Sequence, residues 1–344
     1  MNWWQILIVV IALIIFCYLA AGIIVVFLAN YKLFSVRGKD INNDCYLKYE
    51  DFHTLNRSEY EVFYKDATIK GFIYTSNNDN EKYKGFIILS HGMWSSHVTY
   101  LSDIEYLTGL GYKVLGYDNY GVCLSGGNNQ VSLAHSIYVL DVVISDVERR
   151  NLNEDLDILL YGHSMGGYAT SCNLKNHQEI KKAIIRSAPI SPSISGRDLL
   201  IKNNKYLGYF LYPIINLCFY LLYGRKENQS SISSLKKNKK TNILLIHAEN
   251  DNIVPFKNSL ARYFLNHKQD NIEVFISKVG KHNSIMEESS MDNYVKLKNE
   301  YYRLVKENDS SKIDSFLQEL KQKKREYYHL NKNTLNSIYN FLIN

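Results

Sequence analysis

An α/β architecture, with a mostly parallel sheet covered by helices on both faces, is the fold class that this 344-residue sequence predicts. Three observations carry it. Short apolar runs rich in Ile, Val, Leu and Tyr recur along the chain, helical stretches of ordinary length separate them, and a glycine-flanked turn follows one run directly. Continuous apolar strands joined by helices read as βαβ units, whose sheet is buried on both sides.

The 46% hydrophobic content suffices for one large core. The net charge is +6, but the lysines are spread along the chain and concentrate only near the C-terminus. Without a basic patch interleaved with aromatics, a nucleic-acid partner is not expected. The cysteines are Cys17, Cys45, Cys123, Cys172 and Cys218, an odd number without CxxC spacing. They argue against a disulfide framework or a zinc site.

The elements follow in order. Asn2 to Tyr31 carries no charged side chain, and Ile6 to Leu28 is almost uninterrupted Ile, Val, Leu, Phe and Ala. This is long enough to cross a hydrocarbon core of about 30 Å as a helix. Trp3 and Trp4 at one end, with Tyr31 and Lys32 at the other, match an interfacial belt. The run exceeds the apolar region of a signal peptide and no basic segment precedes it, so 3–31 is expected to stay as a single-pass transmembrane anchor with the bilayer as its partner. Lys32, Arg37 and Lys39 follow the span, which predicts a cytoplasmic catalytic domain.

Residues 32–57 read as a linker, and 58–344 as the folded domain. β-type runs occur at Glu61 to Tyr64, Thr68 to Tyr74, Gly85 to Ser90, Tyr112 to Asp118, Leu156 to Tyr161, Lys182 to Arg186, Asn242 to His247 and Ile272 to Ser277. Helices are expected at Tyr100 to Thr108, Leu133 to Arg149 and from Met165, and an apolar helix from Leu335 to Ile343 closes the chain.

The chemistry concentrates in a few loops. Gly162-His-Ser164-Met-Gly-Gly167 follows an apolar strand and opens a helix, the context of a nucleophile elbow, where flanking glycines permit a strained turn that projects the serine hydroxyl. A serine hydroxyl needs a base within hydrogen-bond reach and a carboxylate to orient that base. In chain order these come after the serine, first the acid and then the histidine. His282, on the loop that leaves the last strand through Val279-Gly-Lys281, is the candidate base. His267 lies in a helix before that strand and His329 in a charged helix. Asp251, after the strand ending at His247, is the candidate acid, with Glu249 the alternative on the same loop. Backbone donors for an oxyanion are expected at Met165, just after the serine, and at Met93 in the loop after Gly85 to Ser90.

With these motifs the chain resembles the α/β-hydrolase superfamily, in particular bacterial serine hydrolases of the monoglyceride-lipase and serine-aminopeptidase-like group. The resemblance runs from Glu61 to Pro255 plus the His282 loop. It rests on Ser-His-Gly-Met at 90–93, Gly-Tyr-Asp-Asn-Tyr-Gly at 116–121, Gly-His-Ser-Met-Gly-Gly at 162–167 and His-Ala-Glu-Asn-Asp-Asn-Ile-Val-Pro at 247–255. There are departures: Gly121-Val-Cys123-Leu-Ser125 stands where Gly-x-Gly-x-Ser is frequent, Ala248 replaces a frequent glycine, and a long polar insertion covers 286–332. Asp118 is assigned a structural role.

The resemblance implies an inserted helical lid over about 192–240, and here it contains the uncharged aromatic-rich run Tyr206 to Gly224. A membrane crossing at this point would separate Ser164 from Asp251 and His282, and Pro213 is expected to interrupt a continuous helix. The implied activity is cleavage of an acyl ester or thioester through an acyl-enzyme, chemistry that implies no metal or organic cofactor. The alternatives are a peptidase of the serine-aminopeptidase type, for which only Asp198 and Glu227 could hold a free amino terminus, and a non-catalytic membrane interaction protein.

Overall fold

The structure is a computed structural model and describes residues 2–34, 47–77, 82–130 and 132–344. Residues 35–46 of the expected linker, Arg37, Lys39 and Cys45 among them, lie outside the described residues.

The chain begins with α1 (Trp3–Phe34), followed by the strands β1 (Leu55–Tyr64), β2 (Ala67–Ser76) and β3 (Gly85–Ser90). Helix α2 (Leu101–Gly109), β4 (Tyr112–Tyr117), α3 (His135–Arg149), β5 (Ile158–His163), α4 (Met165–Asn173) and β6 (Lys182–Arg186) continue the alternation. Three helices, α5 (Pro192–Asn203), α6 (Lys205–Glu227) and α7 (Ser231–Lys237), occupy the position expected of the lid. They are followed by β7 (Asn242–Ala248), α8 (Leu260–Asn266), β8 (Ile272–Ser277), α9 (Glu288–Glu307), α10 (Ser310–Lys323) and α11 (Lys332–Ile343).

The eight strands form one sheet in the order β1-β2-β4-β3-β5-β6-β7-β8. From β4 to β8 all pairings are parallel, while β1 and β2 form an antiparallel hairpin that joins the sheet at β4. The fold is therefore α/β with a mostly parallel sheet, as the alternation of apolar runs and helices requires.

Burial on both faces explains why the central strands are apolar at every position. In β3, Phe86 and Ile88 enter one core with Val139, Leu140 and Val143 of α3, Tyr168 and Cys172 of α4, and Phe264 of α8. Ile87 and Leu89 point the other way, against Ile104 and Leu107 of α2 and Ile338, Phe341 and Leu342 of α11. A third cluster joins Val26 of α1 to Leu211, Ile214, Ile215 and Cys218 of α6.

Two expectations are corrected. Part of the expected linker is not a spacer: Leu47, Phe52 and Leu55 are buried in the core on the α2 face, and β1 already begins at Leu55. Pro213 does not interrupt the lid helix, because α6 runs through it from Lys205 to Glu227. A proline removes one helical hydrogen bond and loosens the preceding turn. Here the Tyr18 hydroxyl donates to the Phe210 carbonyl at 2.6 Å in that turn, and burial of Leu211, Ile214 and Ile215 holds the helix together around it.

Candidate active site

Ser164 sits between the end of β5 and the first turn of α4, with φ 54° and ψ −116°. A non-glycine residue in this region costs on the order of 1–3 kcal/mol and persists only where its surroundings impose it. The imposition is visible: the Ser164 amide donates to the Arg186 carbonyl at 2.9 Å, and its own carbonyl accepts from Tyr168 at 2.9 Å. Gly166 is required by close approach, since a Cβ there would lie 1.9 Å from the Ser90 carbonyl oxygen of β3. The glycine lets α4 start directly against the sheet and keeps the half-buried Ser164 hydroxyl at its carboxyl edge.

The other candidate residues come from the ends of neighbouring strands. His282 follows β8 in a tight turn set by positive φ at Gly280, Lys281 and Ser284. Its Nε2 is 2.9 Å from Ser164 Oγ, while Nδ1 is 2.9 Å from Asp251 Oδ2 and 3.1 Å from Oδ1. These distances require Nδ1–H to donate to the carboxylate, which leaves Nε2 as acceptor for the serine O–H. The three residues are 31 to 118 positions apart in sequence, and the sheet brings them into one hydrogen-bonded line.

Asp251 is buried, and its Oδ1 also accepts from the Ile253 and Val254 amides at 2.8 and 2.9 Å. Burial alone would raise its pKa, but hydrogen bonds and charge from His247 and His282 outweigh it and hold the carboxyl well below the usual carboxylate range. It is thus an ionised acceptor near neutral pH. Glu249, the alternative acid, has an exposed side chain on the same loop.

Met165, at the first position of α4, is buried, and Met93 lines the same cavity as Ser164. That cavity, about 220 Å³, is walled by apolar side chains from the β3 loop, from α5 and α6, from the Ile253-Val254 turn and from α1. No charged residue lines it among the described residues.

A buried relay that the sequence did not reveal holds these loops together. The Gly92 amide donates to Tyr100 Oη at 3.0 Å, Tyr100 Oη–H to His163 Nδ1 at 2.7 Å, and His163 Nε2–H to the His282 carbonyl at 2.9 Å. Only a neutral His163 satisfies all three. Burial, with Arg186 and His282 nearby, pushes its pKa well below the ordinary imidazole value. Arg186, itself fully buried, donates to the Asn283 carbonyl at 2.9 Å and pairs with Asp103 at 2.8 Å, while Tyr161 donates to the same Asp103 oxygen at 2.5 Å. His163 was visible as the variable position of the serine motif, but its partners are 63 and 119 residues away and no local pattern points to them.

His91 and Asp118 act beneath the site. His91 Nδ1–H donates to the Gly92 carbonyl at 2.7 Å and Nε2 accepts from the Asn119 amide at 2.9 Å, a neutral arrangement that burial favours. Asp118 accepts from the His97 amide and Nδ1 at 3.0 and 2.8 Å and from the Leu124 amide at 3.2 Å. In the departing turn Cys123 takes φ 38°, the left-handed region in which a glycine is the usual occupant.

Residues 81–214 match the family model described as serine aminopeptidase, S33. No curated protein matches the sequence. Among solved structures, the chain is similar to an esterase of Pyrococcus furiosus at 20% identity and a TM-score of 0.50, over 67% of this chain and 85% of that one. It is also similar to Est1E from Butyrivibrio proteoclasticus, in a structure with bound ferulic acid, at 15% identity, a TM-score of 0.48 and coverage of 65% and 91%. Similarity to an acylaminoacyl peptidase of Pyrococcus horikoshii stands at 16% identity and a TM-score of 0.48, over 68% of this chain and 39% of that one. The sheet and the similar solved structures give the chain an α/β-hydrolase fold, and its residues 81–214 are similar to the serine aminopeptidase, S33 family.

Proposed function

We propose that the protein is a membrane-anchored serine hydrolase that cleaves acyl esters or thioesters through an acyl-enzyme. The observation that carries this reading is the line Ser164–His282–Asp251, with 2.9 Å at each junction. Ser164 Oγ attacks the acyl carbonyl as His282 Nε2 takes its proton, and Asp251 holds the imidazole in the Nδ1–H tautomer and stabilises the imidazolium. The Met93 and Met165 amides are the donors this mechanism assigns to the developing oxyanion. Collapse breaks the bond to the leaving group, which His282 protonates. Water, deprotonated by the same nitrogen, then attacks the acyl-enzyme and releases the carboxylic acid and Ser164.

The uncharged cavity wall supports an acyl substrate of medium or long chain, since each buried methylene contributes up to about 0.8 kcal/mol. A free amino terminus, which an aminopeptidase substrate would present, finds no carboxylate among the described residues of that lining. Of the two acidic lid residues, Asp198 is already engaged by Arg197 at 2.8 Å and by Asn258 at 2.9 Å, and the side chain of Glu227 lies outside the described residues. The esterase named among the similar structures agrees with this direction.

Retention of α1 as an anchor is supported by its own contacts. Trp3–Leu28 has a mean hydropathy of 3.1, and Val26 is buried against α6 in the cluster described above. With Lys32 in its last turn, the reading places the hydrolase domain on the cytoplasmic side.

A fluorophosphonate probe tests the nucleophile on the detergent-solubilised full chain. Labelling of the wild type and loss of labelling in Ser164→Ala are expected. Equal labelling of both would remove Ser164 from the mechanism.

A further inference from the structure

Helix α1 reaches further than an anchor needs to. At about 1.5 Å per residue its 32 residues extend about 48 Å, whereas a hydrocarbon core of about 30 Å takes about 20 residues. From Trp3 to Cys17 nearly every residue is exposed, as expected for a helix surrounded by lipid. Beyond that point one face becomes engaged. Tyr18 packs edge-on against Phe210 with ring centroids 4.9 Å apart, and Val26 is 3% exposed against α6. Between them a Cβ at Gly22 would lie 2.3 Å from the Ile214 side chain, so glycine permits a close crossing of the two helices.

Two consequences meet here. First, Tyr18, Gly22 and Val26 all fall inside the apolar span Trp3–Leu28, so the part of α6 that packs on them lies at bilayer depth. The outer surface of α6 fits that placement: Phe210 is 63% exposed and Leu221 66% exposed, large apolar side chains for which lipid is the favourable surrounding. Second, the cavity that contains Ser164 is bounded by Val25, Val26 and Phe34 of α1, opposite Leu199, Ile215 and Phe219 of the lid. The side chains that face the proposed acyl site and those that pack the membrane helix onto the lid are in part the same.

We propose that α1 is a wall of the acyl-binding cavity as well as an anchor, and that Val26 helps set the length of acyl chain accepted from the bilayer. The inference rests on the reading of Ser164 as the nucleophile of an acyl hydrolase and adds to it which residues select the substrate. A lipid acyl chain leaving the membrane moves from one apolar surrounding to another along α1, so transfer to Ser164 needs no exposure of the chain to water. Selection then resides in the volume between α1 and the lid, where one side chain is equivalent to a few methylenes.

The test uses the full chain in lipid nanodiscs and a series of p-nitrophenyl esters from butyrate to palmitate. Val26→Trp fills the wall and is expected to lower the palmitate-to-butyrate ratio of kcat/KM about tenfold, the effect of excluding roughly two methylenes. Val26→Ala opens the wall and shifts the optimum toward longer chains, a change in the opposite direction that misfolding cannot produce and that decides the matter if the tryptophan variant fails to fold. Ile24→Trp, on the exposed side of the same helix turn, leaves the ratio unchanged. Ratios within about twofold of wild type for both Val26 variants, or an equal shift in Ile24→Trp, would overturn the inference. A wild-type protein that hydrolyses no ester and takes no fluorophosphonate on Ser164 marks failure of the underlying reading instead, and the two failures are separate outcomes of one set of measurements.

Discussion

Asp251 illustrates how a single side chain is prepared by its surroundings. Its carboxylate is out of water yet accepts from two backbone amides and from the His282 imidazole, with His247 Nε2 3.3 Å away. The amides fix its orientation, so the proton on His282 has only one favourable nitrogen. In Asp251→Asn the side-chain amide can present a donor to Nδ1 and favour the other tautomer, which places the imidazole N–H toward Ser164. On the reading above, kcat is expected to fall by roughly 10³–10⁴ with a smaller change in KM, as for wrong-tautomer variants of such triads. Single-turnover acylation with a p-nitrophenyl ester measures it directly. A loss under about tenfold would assign the orienting role elsewhere.

At the scale of elements, the strand ends and the first helix carry the argument. Ser164, Asp251 and His282 follow β5, β7 and β8, neighbours or near neighbours in the sheet, so parallel pairing alone brings three distant segments to one edge. The relay through Tyr100 and His163 then fixes the spacing between the Gly92 turn and the His282 turn. Helix α1 is a different kind of element: its apolar surface is uniform around the axis, and on the anchor reading proposed above it gains stability from lipid and from one engaged face. The full-length protein is expected in the pellet after alkaline carbonate extraction, with an intact mass that retains Trp3. Release into the supernatant, or a mature terminus beyond Leu28, would count against α1 as a retained anchor.

For the whole molecule, buried neutral histidines make stability depend on pH. His135 is held neutral by burial and by Lys65, whose Nζ lies 3.1 Å from Nε2, and its pKa is pushed down to about 4. His163 and His91 are lowered for the same primary reason, burial. In the unfolded chain each protonates near about 6.5, so the unfolded state binds more protons below that pH and stability falls as pH drops from about 6.5 through the folded value. Asp118 and Asp251 act lower: their depressed folded pKa values give stability that is intact above about 3.9 and lost only as pH falls further. Thermal melts of the solubilised protein between about pH 7 and pH 5 are therefore expected to show a declining Tm. His135→Asn removes one titrating group and makes the decline shallower, by up to about 1.4 kcal/mol per pH unit for one proton. A wild-type Tm that is flat across this interval would contradict the assignment.

The sequence by itself determined the α/β class, the order of the strands along the chain, the apolar N-terminal helix and the candidates Ser164, Asp251, His282, Met93 and Met165. These were legible because their signals are local: an apolar run, a glycine pattern around a serine, a carboxylate or an imidazole just past a strand. Local patterns stop where contacts span the chain. Nothing around residue 186 announces a buried arginine holding the His282 loop, because its partners Asp103 and Asn283 lie 83 and 97 positions away. Residues 47–57 looked like a spacer since three apolar residues without periodicity give no signal, and only the sheet's second face supplies the surface that buries Leu47, Phe52 and Leu55. Pro213 looked like a helix end since the intrinsic cost of proline is all the sequence shows, whereas burial against α1 and a hydroxyl from Tyr18 offset it. The meeting of α1 with the cavity at Ser164 was decided by tertiary structure alone, because helix crossing depends on shape at Gly22 and Ile214, which are 192 residues apart.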